Sequence, residues 1–73
     1  MPYTYSQHAR LRMQERGITE ANIAWGINGG AARGIEEGKT LYQRWWTEED
    51  GSRWGPFVIA RGTHIITTWI RQG

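Results

Sequence analysis

The apolar residues of this chain change period at Asn28-Gly29-Gly30, and no other feature of the sequence constrains the fold as strongly. Before that point they recur at helical spacing, Ala9 with Met13 and Ile23 with Ile27. After it, apolar and aromatic residues alternate with polar ones, the period of a strand. Helices first and strands afterwards imply an α+β domain, with helices gathered on one face of an antiparallel sheet.

The helical part has its own punctuation. Residues 1–5 read as a short extended lead-in, and residues 6–16 as the first helix. Ser6 is placed to accept from the first free N–H groups of that helix. Gly17 stops it, because glycine enters the left-handed region without steric penalty. Ala9 and Met13, with Leu11 and Gln14, mark its buried flank. Thr19 caps a second helix from Glu20 to about Asn28, and Glu20 in its first turn favours the helix dipole. Ile18 and Ile23 have the spacing of a hydrophobic staple across that cap. Ile23, Ile27 and Ala24 form the expected buried stripe.

The strands follow at short intervals. Ala31–Glu36 reads as a brief strand and Glu37-Gly38 as a turn. Lys39–Thr47 reads as a longer strand with Leu41, Gln43 and Trp45 on one face and Tyr42, Arg44 and Trp46 on the other. Glu48–Ser52 is an acidic hairpin loop around Asp50-Gly51. Pro56–Ala60 and His64–Ile70 are the last strands, joined by Arg61-Gly62-Thr63. The expectation is one domain over 1–73, ordered ααββββ, with a four-stranded antiparallel meander covered on one face by two helices.

Composition narrows the function. A chain of 73 residues buries only about 60% of its unfolded surface, and with no cysteine it has no disulfide to reinforce the core. Five tryptophans, three tyrosines and a phenylalanine are more aromatic area than a thin core can hide, which points to a surface for a partner or substrate. The formal charge is +2 and only Lys39 among the 9 basic residues is not arginine. Guanidinium groups suit bidentate phosphate recognition and stack on bases, so nucleic acid is the expected partner. No apolar run approaches the roughly 18 residues of a membrane span. No secretory signal is present, and the lack of cysteine fits a cytoplasmic site of action. Two histidines 56 positions apart and scattered acids lack metal-ligand spacing. Gly29-Gly30 and Gly34 lack the following lysine-serine of a phosphate loop. Neither a metal nor a small-molecule cofactor is expected.

The chemistry centres on the first helix. His8 and Arg12 are four apart, as are Arg12 and Arg16, so all three project from one face. An imidazole exchanges protons near neutral pH, and a guanidinium holds its charge throughout. Metal-free RNA cleavage needs a base for the 2′-hydroxyl, cations for the phosphorane and an acid for the leaving 5′-oxygen. That assigns His8 as acid or base and Arg12 as a phosphate holder; the bland alternatives are a packed helix-start histidine and a solvated basic face. Thr67 is taken to share a strand face with Ile65 and Trp69 and to donate to phosphate, unless it is there only as a β-former. Arg16 is a second candidate to hold phosphate, and Lys39, Arg44, Arg53 and Arg61 are candidates for a basic strip over the sheet. Trp45, Trp46 and Trp54 are candidates for base stacking, with Trp46 the exposed one because Leu41 shares the parity of Trp45. His64 is a weaker second histidine.

His8-Ala9-x-x-Arg12-Met13-x-x-Arg16-Gly17-Ile18-Thr19, with a second helix after it, resembles the opening of domain-of-unknown-function family 4258. Ile65-Ile66-Thr67-Thr68-Trp69 resembles that family's last strand, with Trp69 at a usual tyrosine. The resemblance covers nearly the whole chain. It implies a toxin domain like the RelE-type and colicin-D-type ribonucleases, standing alone or carried as the tip of a toxin delivered into a target cell. It also implies RNA as substrate and a cognate antitoxin or immunity protein as partner. The alternative is a non-catalytic module that binds RNA or protein through its tryptophans.

Overall fold

The computed structural model describes residues 3–73; Met1 and Pro2 of the expected lead-in lie outside the described residues. The described chain runs β1 (Thr4–Tyr5), α1 (Gln7–Arg16), α2 (Glu20–Gly29), β2 (Ala31–Gly34), a 3-10 turn (Glu36–Gly38), β3 (Thr40–Gln43), β4 (Trp46–Thr47), β5 (Arg53–Arg61) and β6 (His64–Gln72). The architecture is α+β, but the expected four-stranded antiparallel sheet is not what forms. The sheet has six strands in the order β1-β6-β5-β3-β2, with β4 also on β5, and β1 runs parallel to β6. The lead-in turns out to be a strand because Thr4 and Tyr5 align with His64 and Ile65, an alignment that no local signal announces.

Both helices form for the local reasons. The Ser6 hydroxyl oxygen accepts from the Ala9 N–H at 2.9 Å, and Gly17 closes α1 in the left-handed region at φ 66°. Thr19 and Asn22 make a reciprocal capping box at the start of α2. Ile18 and Ile23 on either side of that cap are both buried. The buried flank of α1 is narrower than expected, since Leu11 is 52% exposed and Gln14 is also exposed. Ala9 is its fully buried position, and Met13 packs beside it.

The expected strand Lys39–Thr47 is interrupted. Gln43 pairs with Phe57 and Trp46 with Trp54, so the register is unchanged, yet Arg44 and Trp45 fall outside the ladder. They lie opposite Pro56 and Gly55. Pro56 has no N–H to donate, and a β-carbon at Gly55 would run into the Arg44 carbonyl. The strand is therefore pinched opposite one residue without an N–H and one without a side chain.

A second irregularity matters more for the site. Ile59 pairs with Thr67 but Ala60 pairs with Ile65, leaving Ile66 as an extra residue. This bulge flips the parity of β6. Ile65 and Thr68 face the helices and are fully buried. Thr67, paired with Ile59, lies on the other face, not on the face of Ile65 as simple alternation predicts.

The core lies between the helices and one face of the sheet. Ala9, Ile18 and Ile23 meet Val58, Ala60 and Ile65 there. Burying a side chain such as Ile23 contributes about 1.5–3 kcal/mol. The Thr68 hydroxyl is inside this core and donates to the Phe57 carbonyl at 2.8 Å, so it is satisfied. α1 packs on β6, and α2 on β5 and β3. Neither helix lies on the opposite, outer face of the sheet.

Candidate functional site

Ser6 sets the position of α1. Its N–H donates to the Ile65 carbonyl at 2.9 Å, and its hydroxyl donates to the carbonyl of the bulged Ile66 at 2.7 Å. β1 ends there. Beyond Ile65 the edge of β6 on that side has no strand partner among the described residues. α1 starts above this open edge, and its polar face overhangs it.

The result is an open cleft of about 280 Å³ lined by His8, Arg12, Arg16, Thr67, Thr68 and Trp69. The residues spaced along α1 and the threonine of the last strand are thus brought together. His8 and Arg16 are exposed and Arg12 is half-buried. The Arg12 Nη1 lies 3.4 Å from Glu15 Oε1, a solvent-facing pair of the kind that contributes little to stability. Arg16 makes no ion pair among the described residues. The cleft thus gathers His8, Arg12 and Arg16 of α1 and Thr67 of the last strand around one space.

Other expected site residues lie elsewhere. Lys39 and Arg61 share the Glu37 carboxylate, at 3.4 and 3.9 Å. Arg44 is half-buried on the helix side, where its Nη1 donates to the Trp25 carbonyl at 2.9 Å and its guanidinium carbon is 4.0 Å from the Trp25 ring centre. It clamps α2 to the sheet. Trp46 is 48% exposed, but not for the reason parity gives: Leu41 and Trp45 lie on the outer face, while Trp46, paired with Trp54, lies on the helix side in a separate apolar hollow of about 360 Å³ with Trp25, Trp54, Ala21 and Asn22. Trp54 is anchored there by its indole N–H, which donates to Glu48 at 3.0 Å. His64 holds Thr4, Nδ1 to Oγ1 2.8 Å, and does not line the cleft. The single basic strip is thereby divided between two faces of the sheet.

Compared with family models, curated proteins and solved structures, the chain matches none of them.

Sequence reading passed over the other basic and aromatic residues of the outer face. Arg33 shares it through its pairing with Leu41, and Arg71 through the strand parity of β6. Alternation puts Trp69 on the strand face of Thr67 and the resemblance puts it at a usual tyrosine; neither marks it as a site residue, yet it lines the cleft and meets Phe57. The alternation in β5 contains part of this signal, but the bulge at Ile66 hides it in β6. Tyr5 and Asp50, both outside the cleft, are shifted from their ordinary values. Burial, then the charge of Glu20, pushes the Tyr5 phenol up against the opposing effect of Arg10. The Ser52 hydroxyl, followed by the Ser52 N–H, holds Asp50 below the usual carboxylate value. Among the described residues no helix is long and apolar enough to cross a membrane.

Proposed function

We propose that this chain is a small metal-independent endoribonuclease of the toxin kind, cutting RNA by attack of a 2′-hydroxyl. The observation that carries the reading is the cleft that His8 shares with Arg12, Arg16 and Thr67. The 2′-oxygen bonds to the adjacent phosphorus, the bond from phosphorus to the 5′-oxygen breaks, and a 2′,3′-cyclic phosphate and a 5′-hydroxyl result. One proton leaves the 2′-oxygen and one reaches the 5′-oxygen. His8 exchanges the proton at one of these oxygens and water serves the other. Arg12 and Arg16 hold the charge that builds on the phosphorane, where fixed cations act most strongly. Thr67 donates a hydrogen bond to a phosphate oxygen. The likeness of residues 8–19 to family 4258 supports the same reading. Such an activity acts in the cytoplasm and harms the cell that contains it, so a cognate antitoxin or immunity protein that blocks the cleft belongs to the proposal.

His8→Ala tests it. Loss of a proton-transfer group costs about 10²–10⁴-fold in cleavage rate. RNA affinity falls far less, because Arg12 and Arg16 remain. The fold survives, because the exposed His8 contributes nothing to the core. Melting temperature, RNA affinity and single-turnover cleavage are measured on one preparation. A folded variant that cuts at the wild-type rate removes His8 from the chemistry. A second reading, a non-catalytic module, is favoured by the hollow of Trp25, Trp46 and Trp54. It prevails if the wild-type chain binds RNA or protein but cuts no RNA.

A further inference from the structure

The outer face of the sheet carries an aromatic row that starts in the cleft. Trp69 lines the cleft and lies 5.4 Å from Phe57, centre to centre; Phe57 lies 5.7 Å from Trp45. The row thus crosses from β6 over β5 to the pinch between β3 and β4. Arginines lie along it, with the Arg71 guanidinium carbon 5.4 Å from the Phe57 ring centre and that of Arg53 4.8 Å from the Trp45 ring centre. Strand pairing puts Arg33 and Arg61 on the same face. The acids are on other elements: Glu15 and Glu20 on the helices, Glu48–Asp50 in the hairpin loop, and Glu36 and Glu37 in the 3-10 turn, where Glu37 pairs with Arg61.

We infer that this face is a stacking platform for single-stranded RNA, whose chain runs from the cleft across Trp69 and Trp45. The inference rests on the ribonuclease reading and adds the class of its substrate. Phe57 is only 7% exposed and forms the floor of the row, so the half-buried Trp69 and Trp45 are the rings that accept unpaired bases of any sequence, and the arginines beside them take the phosphates between those bases. A duplex has its bases stacked internally and offers only its backbone. A second copy of this chain is a poor occupant, because a two-fold contact would set Arg53 and Arg71 against the same pair of cations on its partner.

The probe is a fluorescently labelled 2′-deoxy oligonucleotide of about ten nucleotides, within the reach of such sites and lacking the attacking hydroxyl. Wild-type chain should bind it, and a duplex of equal length should compete poorly. Trp69→Leu should weaken binding by about 5- to 150-fold, the range for one lost base–aromatic stack. Arg53→Gln and Arg71→Gln should each lower the salt slope by about 0.7, as expected for one phosphate on a single strand. These exposed arginines keep the test decisive if Trp69→Leu does not fold. Unchanged affinity and slope in the arginine variants overturn the platform. So do equal competition by duplex, displacement by polyglutamate that Trp69→Leu leaves unaltered, and a stable dimer in sedimentation at assay concentration. Cleavage is read separately on the matching ribo-oligonucleotide. Binding of the deoxy probe with no cleavage sinks the ribonuclease reading and leaves the platform standing; cleavage without the Trp69 and arginine effects does the reverse.

Discussion

At the scale of single residues, positions with more than one role have the clearest consequences. Ser6 caps α1 and also ties it to the bulge of β6, so one hydroxyl fixes both where the helix starts and where His8 sits. Gly17 is simpler. A β-carbon there meets nothing within 4 Å, so alanine would suffer only from the left-handed backbone. Gly17→Ala should cost about 1–2 kcal/mol in denaturant unfolding without altering RNA affinity. A cost near zero would mean that the helix ends in another way. Gly55 is the opposite case, with ordinary backbone and no room. Gly55→Ala should cost about 1–3 kcal/mol, because the Arg44 carbonyl must move. A variant as stable as wild type would contradict the pinch.

At the scale of elements, the 48–52 loop is held by its own polar contacts. The Ser52 hydroxyl and N–H donate to Asp50 Oδ1 at 2.6 and 2.9 Å, and they lower the Asp50 pKa. A depressed carboxylate contributes stability above its unfolded value, about 3.9, and loses it as the pH falls through its folded value. Ser52→Ala should therefore be slightly less stable than wild type near neutrality, with the gap closing below about pH 4. Denaturant titrations of both chains across pH 2–7 check this, and a gap that widens in acid would refute it. The loop's place in the sequence was legible from Asp50-Gly51. The division of the preceding strand was not, since Trp45 and Trp46 read as good strand residues and the cause lies across the sheet at Gly55 and Pro56.

At the scale of the whole molecule, charge is sorted by face. Arg16 opens into the cleft, whereas Arg44 is spent inside, on Trp25. The two arginines should therefore fail in different assays. Arg44→Ala should cost about 1–3 kcal/mol of stability, from the lost ring contact and the unpaired Trp25 carbonyl, with little change in the salt dependence of RNA binding. Arg16→Ala should leave the melting temperature nearly unchanged and lower the salt slope by about 0.7. Calorimetry and binding at several salt concentrations on both variants decide it; a lowered slope for Arg44→Ala would return that residue to the RNA contacts.

The sequence by itself determined the local pieces. Ser6, Gly17 and Thr19 fixed the helix ends because capping and left-handed backbone are short-range effects. The four-residue spacing of His8, Arg12 and Arg16 fixed their common face because helical geometry is local too. Only the tertiary structure decided the rest. The parallel pairing of Thr4–Tyr5 with β6, which depends on an alignment across sixty residues, and the break of Lys39–Thr47 into β3 and β4 together replaced the four-stranded meander with a six-stranded sheet. The extra residue at Ile66 sent Thr67 to the outer face, because a bulge is set by the partner strand and by what the opposite face must bury. That shift made Trp69 both the wall of the cleft and the first ring of the aromatic row.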